Sequence, residues 1–147
     1  MEDPAIIVRR INQTDMAAVR EIDAKIGKGQ GLIGDGDIAR AELGGPLDMS
    51  LVAEDEGRVV GVLFSRRALL MLPLGEVCLM QTILVDPDYQ RHHVGSKLIT
   101  ALPELCSAAG IKNVRALVEE RNEGLRRTVE RLGFKSSRIV NYDKTFG

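Results

Sequence analysis

The chain has 147 residues, of which 44% are hydrophobic, 28% charged and 3% aromatic, and its formal net charge is −1. That length suits one domain with a real hydrophobic core, and the apolar content excludes a disordered chain. The near-neutral charge and the lack of Trp argue against nucleic acid or an acidic membrane surface as the partner.

In chain order, Ala5–Ile11 reads as a first strand. Thr14 is the expected N-cap of a helix with Asp15 in its first turn. Met16, Val19, Ile22 and Ile26 follow at helical spacing, with Gly27 as the stop. Gly27–Gly36 is a glycine-rich loop, and Asp37–Leu43 a short helix closed by Gly44-Gly45-Pro46. Ser50–Glu54 and Arg58–Arg66 are strands joined by the turn Asp55-Glu56-Gly57. Ala68–Gly75, which contains Pro73, is the next connection. Glu76–Val85 is a long strand with Val77, Leu79, Gln81, Ile83 and Val85 on one face. Gly95–Gly110 is a helix with a broad apolar stripe, and Pro103 inside it must kink the helix or cost a backbone hydrogen bond. Lys112–Val118 is a short strand. Asn122–Leu132 is a helix with Leu125, Val129 and Leu132 inward and Gly133 as its stop. Phe134–Phe146 is expected to add one or two closing strands. The order predicts an α/β architecture: a mixed sheet with about four helices on its faces, in a single domain over residues 1–147.

Cys78 and Cys106 sit in apolar runs and read as reduced core residues. Met1–Pro4 is acidic and no long apolar run follows, so neither a signal peptide nor a membrane span is expected, and the cytoplasm is the expected compartment.

The loop Gln90-Arg91-His92-His93-Val94-Gly95-Ser96 follows a strand and opens a helix. Such a loop points several backbone N–H groups at one place, and the helix dipole adds positive potential there. A pyrophosphate suits that site. Gly95 allows close backbone approach, and Ser96 and Lys97 add donors. Gly29-Gln30-Gly31-Leu32-Ile33-Gly34 spells a dinucleotide fingerprint, but it follows a helical pattern rather than a strand, so that reading is rejected. The His92-His93 pair has no Cys or third His nearby, and no metal is expected.

The stretch V-D-P-D-Y-Q-R-H-H-V-G-S-K-L from Val85 to Leu98 resembles the acetyl-CoA motif of the GCN5-related N-acetyltransferases. Gln90, Val94, Gly95 and Leu98 match the family pattern. The stretch from Asn122 to Phe134, ending in Arg131-Leu132-Gly133-Phe134, resembles the second signature of that family. The resemblance implies an acyl-CoA N-acyltransferase fold whose central sheet is mostly antiparallel. It implies that Ile83, Leu84 and Val85 offer backbone groups to the pantetheine arm and that Arg91 to Ser96 cradle the pyrophosphate. It also implies that Asn122 contacts the cofactor or braces the adjoining strand. The glycine-rich loop after the first helix would border the acceptor site. In the family, the strands corresponding to Glu76–Val85 and Lys112–Val118 splay apart around the cofactor.

Three positions depart from the pattern. His93 replaces the first glycine of the motif. Val129 stands where many members carry a Tyr that protonates the departing thiolate, and Leu117 stands where some members carry a base. The general-base candidates that remain are Glu76, Glu119 and Glu120, and Tyr89 and Tyr142 are the only tyrosines. The implied activity is transfer of an acetyl group from acetyl-CoA to a primary amine by direct attack. The amine belongs to a small molecule, or to the N-terminus or a lysine of a protein, and D-P-D-Y-Q-R favours a protein substrate. The alternative is a catalytically weak acyl-CoA sensor or interaction module. The resemblance also suggests a homodimer through terminal strands.

Overall fold

The computed structural model describes residues 5–27, 31–71 and 75–147, without the side chains of Leu70 and Met71. The expectations for Met1–Pro4, for Gly29 and Gln30 and for Pro73 fall outside those residues. The chain divides into two compact units, residues 1–117 and 118–147. The first holds strands β1 (Ile6–Arg10), β2 (Leu51–Asp55), β3 (Arg58–Met71), β4 (Gly75–Val85) and β5 (Val114–Ala116), with helices α1 (Met16–Ile26), α2 (Asp35–Ala41) and α3 (Val94–Ala108). The second holds α4 (Glu123–Arg131).

The sheet runs in the order β1-β2-β3-β4-β5. Its pairs are antiparallel except β4–β5, which is parallel. The mixed, mostly antiparallel sheet therefore forms as the sequence implies. Glu56 and Gly57 close the β2–β3 hairpin with positive φ of 49° and 80°, the conformation that a two-residue turn between twisted strands needs.

Residues of β2 and β3 alternate between two buried faces. Val52, Val62 and Phe64 join Met16, Val19 and Ile22 of α1 in one core cluster. On the opposite face Gly61 lies under Val94 and Leu98 of α3. An added Cβ at Gly61 would stand 2.7 Å from Val94 Cγ1, so a strand glycine is what brings α3 down onto the sheet.

Several elements differ from the sequence reading. The cap of the first helical segment is Asn12, not Thr14. The Asn12 side chain accepts from Thr14 N, and Asp15 Oδ2 accepts from Asn12 N in return. A 3-10 turn at Gln13–Asp15 precedes α1, which moves the cap two residues upstream. β3 continues to Met71 through residues read as a connection, because its ladder with β4 continues. β4 does not keep one strict face. Phe64 pairs with Thr82 and Ser65 with Met80, so Gln81 is an extra residue and the alternation breaks there. Pro103 lies inside an unbroken α3 and is solvent-exposed. Residues 134–147 form no strand. Their bonds are local, such as Ile139 N to Ser137 Oγ and Asn141 Nδ2 to Asp143 Oδ2, and a strand exists only through a ladder with a neighbour. In the second unit Val129 is buried and Leu125 and Leu132 half-buried, the inward set that the spacing predicts.

Candidate functional site

Among the described residues, the last residues of β4 have a strand partner on one side only. β3 pairs with β4 as far as Gly61↔Val85. β5 pairs with it only at Cys78↔Val114, Leu79↔Arg115 and Met80↔Ala116. The direction of the amides follows from the ladder. Asp86 N donates to Val60 O at 2.8 Å, so residues 82, 84 and 86 bond toward β3 and the backbone groups of Ile83 and Val85 face the side β5 has left. Cys78 N donates to Asn113 O, so the β5-facing groups before the bulge belong to 78 and 80. The bulge at Gln81 shifts the phase and coincides with the end of the β5 pairing. Of the three residues expected to offer backbone groups, Ile83 and Val85 present theirs to the open edge, whereas Leu84 turns its own to β3 and its side chain to the α1 core.

The loop expected to hold phosphate reaches the same place. A 3-10 turn at Pro87–Tyr89 leads through Gln90, Arg91 and His92 to His93, the N-cap of α3. Gln90, Arg91 and His93 are exposed, His92, Gly95 and Ser96 half-buried, and Val94 buried. Val94 and Gly95 open the helix, so their N–H groups have no acceptor within it. A Cβ built on Gly95 would meet Ile83 Cδ1 at 3.6 Å and Val85 Cγ2 at 3.8 Å. The start of α3 thus rests on the two residues whose backbone faces the open edge. Those distances are ordinary contacts, so the fold itself does not require glycine at 95. His93 has φ 58°. The position where the family pattern has glycine keeps the left-handed backbone that glycine favours, with a His in its place.

Two contacts that the sequence reading missed hold the loop in place. Asp86 is buried, and its carboxylate meets Lys25 Nζ at 3.0 Å, Arg58 Nη2 at 3.2 Å and Asp88 N at 3.0 Å. Burial pushes its carboxyl up, but the Asp88 amide and the Lys25 ammonium outweigh this and hold it below the ordinary value. The signal in the sequence is an Asp directly before Pro at the start of a helical turn. Tyr89 donates its phenol to Asp55 Oδ2 at 2.6 Å, and this bond raises its pKa. Its ring meets that of His92 edge-on at 5.8 Å. Tyr89 therefore ties the loop to the end of β2.

The other named residues fall elsewhere. Glu76 is exposed near the start of β4, about 20 Å of extended strand from Ile83. Its Oε1 accepts from Arg67 Nη2 at 2.6 Å, and that bond holds its carboxyl below the usual range. Glu119 and Glu120 are exposed ahead of α4 and act there through their carbonyls, which accept from Asn122 N and Arg126 Nη1. Asn122 caps α4, its Oδ1 accepting from Leu125 N at 3.2 Å. Tyr142 is 91% exposed. Leu117 is exposed beyond β5. Cys78 and Cys106 are free and buried, and burial pushes both thiols up, which leaves neither as a nucleophile at neutral pH.

The profile of the acetyltransferase (GNAT) family matches residues 17–134. No curated protein sequence matches the chain. Solved structures do. One is AAC(6')-Iy in complex with the bisubstrate analogue CoA-S-monomethyl-acetylneamine, with 20% identity, TM-score 0.78 and coverage of 96% of this chain and 99% of that one. A second is the aminoglycoside acetyltransferase meta-AAC0020 from an uncultured soil metagenomic sample, in complex with sisomicin, with 18% identity, TM-score 0.78 and 97% coverage of both chains. A third is the ribosomal-protein-S18-alanine N-acetyltransferase from Escherichia coli, with 19% identity, TM-score 0.72 and coverage of 90% of this chain and 79% of that one. At such identities the likeness is one of fold.

Proposed function

This chain belongs to the acetyltransferase (GNAT) family, and from that premise we propose that it moves an acetyl group from acetyl-CoA to a primary amine by direct attack on the thioester. The observation that carries the proposal is the junction of the open β4 edge with the first turn of α3. The residues there fit an acyl-CoA. Backbone groups of Ile83 and Val85 face a gap in the sheet, where amide-bearing pantetheine can complete the ladder. The loop from Gln90 through Arg91, His92, His93, Val94 and Gly95 to Ser96 supplies amides and the positive end of α3 for the pyrophosphate. Acetyl-CoA supplies the activated acyl group. The chain positions it and polarises its carbonyl with backbone amides.

The acceptor is an amine-bearing small molecule or a peptide or protein. Residues 1–147 act as one N-acetyltransferase domain, since the family match crosses from the first unit into the second. Asn122 supports the site by fixing the start of α4. The base is assigned to Glu76 or Glu119. Glu76 is held ionised by Arg67, which suits it to attract an ammonium but makes it a weak proton acceptor. Glu76→Gln is therefore expected to raise KM for the amine more than it lowers kcat. Glu119→Gln is expected to lower kcat more than it raises KM for the amine. The cytoplasm and a homodimer complete the reading. No described helix is long and apolar enough to cross a membrane.

Release of free CoA thiol from acetyl-CoA, followed over a panel of amines and peptides, tests the proposal. Turnover with any acceptor is expected, and Gly95→Glu is expected to abolish it by placing a carboxylate beside the pyrophosphate. CoA binding without turnover across the panel would sink the enzyme reading. It would favour the acyl-CoA sensor, which the buried Val129 and the Asp55-bound Tyr89 support by leaving no evident acid for the departing thiolate.

A further inference from the structure

The two faces of β4 are covered differently where the sheet opens. On one face the first turn of α3 rests on Ile83 and Val85 through Gly95. On the other face Leu84 packs against the α1 core. Apart from Glu76 near its start, β4 is apolar except at Gln81 and Thr82. Both are exposed, while Met80 just before them is buried. The sheet is therefore left uncovered at those two residues, next to the point where the pairing with β5 ends.

The bulge decides which way the two side chains point. Met80 shares a face with Cys78, whose thiol meets Cys106 of α3. Alternation onward from Met80 sends Gln81 to the opposite face, that of α1. Alternation back from Leu84 sends Thr82 to the α1 face as well, where it pairs with Phe64 of the α1 core. The extra residue thus sets two polar side chains side by side on one face. An unbroken strand would have put them on opposite faces. Gln81 lies about 7 Å along the strand from Ile83, whose backbone faces the gap. Because α3 closes the other face at Ile83, the α1 face is the side from which an amine reaches a thioester held there.

Resting on the acetyl-transfer reading above, we propose that Gln81 and Thr82 bind the acceptor amine. Gln81 Oε1 and Thr82 Oγ accept its N–H groups and turn the nitrogen lone pair toward the thioester carbon. The N–C bond forms as the C–S bond breaks. The surplus proton of the nitrogen ends on the CoA sulfur, so the products are an amide and a free thiol. Both side chains are uncharged, which suits the neutral amine that attacks, whereas a carboxylate at the same place would favour its ammonium.

Steady-state kinetics with acetyl-CoA and the fastest acceptor of the amine and peptide panel test this, beside calorimetry with CoA alone. Thr82→Val and Gln81→Leu change exposed positions. Each is expected to lower kcat/KM for the amine by about threefold to tenfold, and the double variant by at least about tenfold. Their Kd for CoA is expected to stay within about twofold of the parent, and Thr82→Ser, which keeps the hydroxyl, to stay near the parent in both measurements. Parent-like kcat/KM in Thr82→Val and Gln81→Leu, or an equal loss of CoA affinity in them, would overturn the proposal. A parent chain that binds CoA but turns over no acceptor would overturn the transferase reading itself, and this assignment with it.

Discussion

His93 shows how one residue can keep a backbone that its side chain disfavours. Its φ of 58° is needed to turn the loop into α3. His tolerates that region better than most residues, and a β-branched side chain hardly does. His93→Val is expected to cost about 1–2 kcal/mol, whereas His93→Gly is expected to hold or raise the unfolding free energy; urea unfolding of both variants checks this. A second residue-scale expectation concerns acid. Asp15 is buried and receives Arg9 Nη1 and Nη2 at 2.9 and 2.7 Å, and the Arg9 hydrogen bonds chiefly hold its carboxyl below the ordinary value. A depressed carboxyl stabilises the fold fully above the unfolded pKa of about 4, and that contribution is lost as pH falls through the folded value. Asp15→Asn is expected to be less stable than the parent at pH 7 by about 2 kcal/mol. The gap should narrow as pH falls below about 4, and melting curves between those conditions measure it.

Among the elements, α3 depends on a glycine outside it. A methyl at Gly61 would press on Val94 and Leu98 and approach Leu84 O at 3.4 Å. Gly61→Ala is expected to cost about 1–3 kcal/mol and to weaken CoA binding as the start of α3 lifts from β4. Denaturant titration and CoA calorimetry read the two effects. Gly95→Ala meets only ordinary contacts and is expected to fold with near-parent stability, so that any loss of CoA affinity belongs to the ligand rather than to the chain. The hairpin of β2 and β3 and the helix that Asn122 leads were legible because turn residues and caps act locally, and α1 was legible from its apolar spacing although its cap was placed two residues late. The Gln81 bulge was not. Nothing in Cys78-Leu79-Met80-Gln81-Thr82 marks an extra residue, since a bulge is defined by the partner strand. The closing strands expected at Phe134–Phe146 failed for the same reason: apolar residues such as Ile139 and Val140 suit a strand, but only a neighbour makes one.

For the whole molecule, both thiols are buried between sheet and helix positions and pushed up by desolvation. Neither is expected to react with a disulfide reagent in the folded chain, and both are expected to react after denaturation. Rapid labelling of one thiol under native conditions would contradict this packing. Lys25 joins α1 to the end of β4 through Asp86, a contact 61 residues apart that no local pattern announces. By itself the sequence determined the order of elements as far as α4, the mixed sheet, the family and the loop from Gln90 to Ser96, because periodicity, turn chemistry and short motifs are written in neighbouring residues. Only the tertiary structure decided that β5 leaves β4 after Met80, that Ile83 and Val85 rather than Leu84 face the gap, and that Arg10 and Arg67 line one cavity at the end of α3. Those facts rest on register and on side chains brought together from distant strands, and register is set by pairing across the sheet rather than by any one segment.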